Sequence, residues 1–488
     1  MRWLLACGLV GVLLLEACSS GRPRRPGATA TSPPPTAPVN AVDVHQVRLL
    51  TVPAGKGVPL TTAPLDPSYT EAEYLLAGVA STYSGPATGP ATAVSAGHPY
   101  VTRVLVRYPS DRSRFSGRVV VEPFNTSGGA DLDVVWQQVG SVLQDEGDAW
   151  IGVTVRSSAA TELKKFDPSR YTDVDIPVND LEWDILRQVG ALVKQGSSQT
   201  PLPGLVVRRE YLAGYSQSGI DVATFAMAFH ASTRMPDGAP VFDGYLPAAH
   251  SGSLTPLQSG TASVPRFESK PMAPVDVPVV DIETQSDVEG FVAALNAATT
   301  YTSPGEASVR RADSDQPGDL YRLYEIAGAP HASAIPGCQG PASTFPTDDF
   351  VRAAMVQLMR WEEKGMVPPK ADRIELATLA AVSVSKDDQY GNALGGVRSP
   401  FLDDPLARYE VHSSPGALCQ LASRETPLSP QVLDHLYGGV TDYLNVFTKS
   451  LDDAIAAGFL LSRDRSAIVA QAQEQASRAF AGAPLAPR

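Results

Sequence analysis

Residues 211–219 read YLAGYSQSG, a short apolar strand that runs directly into a turn of small residues. We predict a helix over residues 220–230, so Ser216 lies in a turn between a strand and a helix. Such a turn forces its central residue into strained backbone angles, and the residues two positions away on either side must be small. Gly214 and Ser218 meet this demand. Because a helix N-terminus stabilises negative charge, the pattern predicts a chemically active serine at residue 216.

The flanking sequence alternates short apolar runs with amphipathic stretches from about residue 99 onward. This rhythm predicts an α/β fold whose mainly parallel sheet is flanked by helices. In open sheets of this kind, functional sites form beyond the carboxyl ends of the strands. The predicted strands are 100–108, 118–122, 149–155, 210–213, 242–246, 278–282 and 323–327, and the predicted helices are 133–144, ended by Gly147, a helix capped by Asn179 or Asp180, and 349–364.

A reactive serine needs a general base, and the base needs a carboxylate that orients it. In folds where the serine sits on such a turn, the chain order is serine, then acid, then histidine. We predict His331 as the base, because it follows a strand and lies in a loop of small residues. The other histidines precede Ser216, lie in the following helix, precede the acid candidates or lie far downstream: His45, His98, His230, His250, His412 and His435.

The acid is predicted in residues 278–287, a strand that runs into a turn. Asp287 lies just past the strand end, where a carboxylate reaches the second nitrogen of a histidine, and it is the favoured residue. Glu283, at the end of the strand, stays open as the alternative. Asp281 is less favoured, because it lies inside the strand.

Negative charge on the substrate oxygen needs two backbone N–H donors. The amide of Gln217, directly after the serine, is predicted to be one of them. The other is expected in the loop after the strand at 118–122, where Pro123 has no N–H and Phe124 or Asn125 is therefore the candidate. No metal-binding, dinucleotide-binding or P-loop motif occurs in the sequence, so we predict no metal and no cofactor.

The N-terminal residues predict export. Residues 1–17 have a positive start and an apolar run that is too short to span a bilayer, as in a signal peptide. The following segment, 18–40, is rich in Pro, Ser, Ala and Thr and is predicted to be a tether. Residues 15–18, LEAC, resemble the lipobox of bacterial lipoproteins, which implies lipidation of Cys18; ordinary signal cleavage is the alternative. We therefore expect an extracytoplasmic protein anchored to the cell membrane.

The two remaining cysteines of the exported body are Cys338 and Cys419. An even number in an oxidising compartment predicts a disulfide, and two buried thiols are the alternative. The net charge of −13 argues against a nucleic-acid partner. Residues 41–488 are long enough for one large domain, with a predicted core at about 99–365 and a C-terminal extension at about 366–488.

Several segments, at about residues 45–475, together resemble the large bacterial α/β-hydrolase domain family of mostly uncharacterised, often exported proteins. The resemblance implies an α/β-hydrolase fold and supports Ser216 and His331 by direct motif match, whereas it says less about Asp287 and nothing about the substrate. A long C-terminal extension exceeds what a minimal hydrolase core needs, and covering the active site is one role for it. The matching segments are PYVTRVLVRYPSDRSRFSGRVVVEPFNTSGG, YLAGYSQSG, YRLYEIAGAPHAS, VRAAMVQLMRWEEKGMVPPKADRIEL and DDQYGNALGGVRSPFLDDPLARYE.

The expected activity is hydrolysis of a small-molecule or lipid-like ester through an acyl-enzyme on Ser216, with His331 as base and Asp287 as acid. Two alternatives stay open. The same three residues also suit an acyltransferase or an amidase, and a catalytically silent cell-surface binding lipoprotein could keep the fold without the chemistry.

Overall fold

The computed structural model describes residues 41–485, except for 57–64, 261–266, 297–298, 304, 334, 336–337, 339–342, 380–381 and 413–416. The predicted signal peptide (1–17) and the tether with Cys18 (18–40) lie outside the described residues. Among the helices of the described residues, none is long and apolar enough to cross a membrane.

The strands account for the predicted apolar runs and extend most of them by a few residues. In chain order they are β1 Arg48–Thr51, β2 Tyr69–Ser84, β3 Thr92–Pro109, β4 Arg118–Pro123, β5 Ala149–Val153, β6 Arg209–Tyr215, β7 Gly244–Ala248, β8 Ser253–Leu254, β9 Glu268–Ser269, β10 Val279–Thr284, β11 Phe291–Asn296, β12 Thr299–Ser303, β13 Ser314–Gln316, β14 Asp319–Ile326, β15 Leu376–Leu379, β16 Val382–Ser385, β17 Ala407–Glu410 and β18 Arg424–Pro427.

Ten of these strands form one sheet in the order β1-β2-β3-β5-β4-β6-β7-β10-β14-β13. Every neighbouring pair from β5 to β14 is parallel, and the antiparallel pairs lie towards the two edges. The predicted α/β class with a mainly parallel sheet is thus confirmed. Since β6, β7, β10 and β14 are adjacent and parallel, their carboxyl ends meet at one edge of the sheet.

Helices cover both faces of this sheet. They are α1 Val134–Glu146, α2 Ser157–Phe166, α3 Glu182–Gln195, α4 Gln217–Ala228, α5 Gln285–Glu289, α6 Thr347–Lys364, α7 Pro400–Asp403, α8 Pro430–Tyr437, α9 Val440–Ala457 and α10 Arg465–Phe480.

Helix α1 forms as the sequence predicts, because its apolar residues recur at helical spacing and are buried against the sheet. Gly147 ends the helix with a φ of 74°, a left-handed conformation that favours glycine. The first turn is capped from a distance, since the Glu122 carboxylate accepts hydrogen bonds from the Val135 amide at 2.8 Å and the Trp136 amide at 3.0 Å. Glu122 thereby ties the end of β4 to the start of α1.

The predicted cap of α3 is wrong. Asn179 and Asp180 belong to a 3-10 turn, and α3 itself begins at Glu182. Their side chains bind other segments instead: the Asn179 Oδ1 accepts from the Ser157 amide at 3.0 Å, and the Asp180 Oδ1 accepts from the Gly260 amide at 2.7 Å. Both side chains therefore bind distant segments, although their residue types would also suit a local helix cap.

The predicted core boundary at about residue 99 is also corrected, because β1 and β2 pair with the main sheet upstream of it. On the C-terminal side, Phe447 of α9 and Ala472 of α10 are buried in the same apolar cluster as Val280 of β10. Residues of the predicted extension, 366–488, thus share the core that covers one face of the sheet.

Candidate active site

Ser216 occupies the predicted turn between β6 and α4, with φ 60° and ψ −126°. A non-glycine residue in this region is strained and is kept there only by its surroundings. Two glycines make the turn sterically feasible: a Cβ on Gly214 would lie 2.3 Å from the Ser218 carbonyl oxygen, and one on Gly219 would lie 2.2 Å from the Ala248 carbonyl oxygen. The sequence therefore forms this turn because glycines stand at its crowded positions.

Ser218 stands where a second glycine is more usual, and its hydroxyl explains why a serine fits. The side chain is fully buried. Its hydroxyl accepts from the Tyr215 amide and donates to the Tyr215 carbonyl, each at 3.1 Å. A buried polar group is tolerated when its hydrogen bonds are made, and here they also fasten the turn to the end of β6.

The ring of His331 reaches Ser216 from the loop after β14. Its Nε2 lies 2.8 Å from the Ser216 Oγ, and its side chain is 10% exposed. The Tyr215 hydroxyl fixes this loop to the end of β6, because it donates to the His331 carbonyl at 2.8 Å. The strand ends of β6 and β14 thus place a serine hydroxyl and an imidazole nitrogen within hydrogen-bond distance.

The C-terminal residues hold the same loop from the other side. The Ala332 amide donates to the Leu421 carbonyl at 3.1 Å. Cys338 and Cys419 form the predicted disulfide, with Cα atoms 5.5 Å apart. The residues after 366 therefore touch the histidine loop directly.

Asp287 completes a chain of hydrogen bonds, since its Oδ1 lies 2.9 Å from the His331 Nδ1. It sits in the first turn of α5, where the Thr284 hydroxyl caps the helix and also donates to the Asp287 Oδ2. Burial alone raises the pKa of this carboxyl, but the His331 imidazole and the donated hydrogen bonds lower the pKa below its ordinary value. Asp287 is therefore an ionised carboxylate in hydrogen-bond contact with the His331 ring.

Glu283 and Asp281, the other two acid candidates, contact a different histidine. They are two residues apart on β10, so both side chains point to the same face of the sheet. There the His250 Nε2 lies 3.0 Å from the Asp281 Oδ1 and 3.1 Å from the Glu283 Oε1. All three side chains are buried. The structure thus separates Asp287, which contacts His331, from its alternative Glu283.

These three residues form the group in the described part of the chain with the geometry to hold a metal ion, their ligand atoms lying within 4.8 Å of one another. Protonation of the His250 ring accounts for the same arrangement of side chains. Burial lowers the pKa of His250, yet the neighbouring Glu283 and Asp281 carboxylates raise that pKa well above its ordinary value. The protonated His250 ring is thus paired with the buried Asp281 and Glu283 carboxyls, and burial raises the pKa of Glu283 well above its ordinary value.

The predicted oxyanion donors Phe124 and Asn125 are corrected by the structure. The Phe124 amide donates to the Val153 carbonyl and the Asn125 amide to the Leu132 carbonyl, each at 3.0 Å, so both N–H groups are already engaged. The next amide, that of Thr126, donates to the Gln217 side-chain Oε1 at 2.9 Å. The Asn125 side chain instead binds the residue before Ser216, since its Nδ2 donates to the Tyr215 carbonyl at 2.8 Å.

The Gln217 amide keeps its predicted place in the first turn of α4, where helix N–H groups have no acceptor within the helix. The Gln217 side chain fastens the loop after β4 to this turn.

Ser251 is a contact of the site that sequence reasoning missed. Its hydroxyl donates to the Asp287 Oδ1 at 2.6 Å. The available signal was its position: Ser251 follows β7, which lies between β6 and β10 and ends at the same edge. Without knowledge of the strand order, the sequence could not rank this serine above its neighbours.

The chain has weak similarity to solved structures of known proteins. No curated protein matches the chain. Among solved structures, Est1E from Butyrivibrio proteoclasticus is similar at 13% identity and a TM-score of 0.27, with 57% of this chain and 99% of that chain covered. XC6422 from Xanthomonas campestris, described as an a/b serine hydrolase without lid, is similar at 18% identity and a TM-score of 0.23, with 46% and 74% covered.

The family comparison is far more extensive than these structural ones. Residues 37–470 match the family described as alpha/beta hydrolase domain. The match spans the sheet, the turn at Ser216 and the loop of His331. This chain therefore belongs to the alpha/beta hydrolase domain family.

Proposed function

We propose that the protein is a serine hydrolase that cleaves a carboxylic ester through an acyl-enzyme on Ser216. The observation that carries the proposal is the continuous chain of hydrogen bonds from the Ser216 Oγ through the His331 ring to Asp287, with steps of 2.8 Å and 2.9 Å. A serine, a histidine and a carboxylate in this arrangement activate the hydroxyl for attack on a carbonyl.

In the first half of the reaction, the Ser216 Oγ attacks the ester carbonyl carbon while His331 Nε2 takes the hydroxyl proton. This requires the tautomer with a proton on Nδ1, which the hydrogen bond to Asp287 favours. The Gln217 amide stabilises the oxyanion of the tetrahedral intermediate. Collapse of the intermediate breaks the bond to the alcohol oxygen, which leaves with the proton from His331.

In the second half, water replaces the alcohol. His331 takes a proton from the water, whose oxygen attacks the acyl carbon, and the Ser216 Oγ leaves with the proton that His331 returns. The acid is released and the enzyme is regenerated. Asp287 stays ionised throughout and stabilises the imidazolium that forms in both halves.

Ester turnover tests the proposal. A panel of p-nitrophenyl esters of increasing acyl length should be hydrolysed by the wild type, with a chain-length preference that reports the substrate class. Ser216→Ala should lower kcat by about 10⁴-fold or more while the protein stays folded by circular dichroism. Folded wild-type protein without esterase activity would favour the binding-lipoprotein alternative, and activity retained by Ser216→Ala would remove Ser216 as the nucleophile.

We also propose that the enzyme is exported and anchored to the membrane through a lipid on Cys18. The LEAC stretch at residues 15–18 supports this, and the Cys338–Cys419 disulfide fits an oxidising compartment. In a bacterial host, full-length wild type should sediment with membranes and Cys18→Ser should not. Equal membrane recovery of both would contradict lipid anchoring.

A further inference from the structure

The segment after β7 is strained at two residues. Ala249 has a φ of 50° and Ser251 a φ of 55°, and neither is a glycine. Such residues cost free energy and persist only where the surrounding structure holds them. Strain of this kind often marks a side chain that has to point in a set direction.

Buried contacts hold this segment in place. The Ala249 amide donates to the Ile282 carbonyl of β10 at 2.7 Å. The Ser251 amide donates to the Glu283 Oε2 at 3.1 Å, and Glu283 is itself paired with His250. The His250–Asp281–Glu283 cluster therefore fixes the backbone of Ser251 from below, without contact with Ser216.

These contacts place the Ser251 hydroxyl beside Asp287. The Ser251 hydroxyl donates to the Asp287 Oδ1 at 2.6 Å, and this same oxygen lies 2.9 Å from the His331 Nδ1. The other oxygen, Oδ2, accepts from the Thr284 hydroxyl. A hydroxyl donor on each oxygen prevents the carboxylate from rotating about its own axis.

We propose that Ser251 is a positioning residue, which holds the Asp287 oxygen that orients His331 and is itself held by the buried His250–Asp281–Glu283 cluster. The proposal rests on the proposed function, because it assigns Ser251 a part in the same reaction. Ser251 touches neither the substrate nor the reacting atoms. Its effect passes through Asp287 to the direction of the imidazole.

Removal of the hydroxyl tests this role. Ser251→Ala should lower kcat for a p-nitrophenyl ester by about tenfold, as expected for the loss of one hydrogen bond to a charged group, with KM changed by less than about twofold. Ser251→Gly removes the same hydroxyl and suits the positive φ, so it should fold at least as well and show the same loss. Ser253→Ala is the matched control, since Ser253 contacts the cluster through its backbone carbonyl.

A double-mutant cycle separates positioning from a general structural role. In the Asp287→Ala background, Ser251→Gly should change the rate of labelling by a fluorophosphonate by less than about twofold, because there is no carboxylate left to hold. The proposal would be overturned if Ser251→Gly lowered the rate of labelling by the same factor in the wild-type and Asp287→Ala backgrounds. It would also be overturned if Ser251→Gly in otherwise wild-type protein kept full activity. Equal labelling of wild type and Ser216→Ala would instead reject the proposed function.

Discussion

Two histidine–carboxylate groups lie at the carboxyl end of the same sheet. His331, after β14, places one ring nitrogen on Asp287 and the other on the Ser216 hydroxyl. His250, after β7, directs its Nε2 between Asp281 and Glu283, and its Nδ1 lies 3.4 Å from the Ser253 carbonyl.

The surroundings of the two histidine rings differ in their partners and in their access to solvent. His331 has one carboxylate and a hydroxyl partner, and its ring keeps some access to solvent. His250 has two carboxylates and is buried, so its proton is held in place. The first arrangement can pass a proton to a substrate, whereas the second stabilises a turn of the backbone.

The largest expected effect separates the two acids. Asp287→Asn should lower kcat by about 10⁴-fold, because the amide no longer holds His331 in the required tautomer. Glu283→Gln should lower kcat by about tenfold or less, since the glutamine oxygen still accepts from the Ser251 amide. Ester turnover by purified, folded variants measures both. A Glu283→Gln variant as inactive as Asp287→Asn would reverse the assignment of the acid.

Stability should separate the two histidines. His250→Ala removes the cation that faces the buried Asp281 and Glu283 carboxyls and should lower the free energy of unfolding by about 3–5 kcal/mol. His331→Ala should lower it by clearly less, because Asp287 keeps the hydroxyl donors of Ser251 and Thr284. Urea unfolding followed by circular dichroism gives both values. Equal losses would contradict a structural role that is special to His250.

A further expected effect is a pH dependence of stability that comes from the buried Glu306, in the 3-10 turn Glu306–Ser308. Burial and repulsion by Asp281 raise the pKa of Glu306 to about 8. The unfolded chain releases this proton at about pH 4.3, so the folded state binds the extra proton between there and pH 8, and the free energy of unfolding falls as pH rises. Glu306→Gln should flatten this fall by up to about 1.4 kcal/mol per pH unit.

Urea unfolding at pH 5, 7 and 9 measures this slope. Asp287 should act in the opposite sense, since its pKa is lowered and its contribution to stability is lost only below about pH 3.9. Wild type and Glu306→Gln with parallel curves from pH 5 to 9 would show that Glu306 does not hold its proton.

Sequence reasoning succeeded where a local pattern determines the structure. The turn at Ser216 depends on glycines at positions 214 and 219, and the sequence shows both directly. The α1 helix likewise follows from its own apolar spacing and from Gly147. In these elements the pattern that predicts the structure lies within a few consecutive residues, although Gly219 also has to clear the distant Ala248 carbonyl.

It failed where distant segments compete for the same group. The amides of Phe124 and Asn125 are engaged by carbonyls of Val153 and Leu132, which no spacing in the loop reveals. Ser251 became visible only when the strand order placed β7 beside β10. The sequence leaves two acids open for a similar reason, because Asp287 and Glu283 are distinguished by which histidine each one contacts.

A nucleophile at Ser216 that is activated by His331 predicts where a covalent adduct forms. Folded protein is incubated with a fluorophosphonate, digested and mapped by mass spectrometry. We predict one adduct, on Ser216, which is absent in Ser216→Ala and forms far more slowly in His331→Ala. An adduct of equal yield in Ser216→Ala, or one located on another serine, would contradict the account.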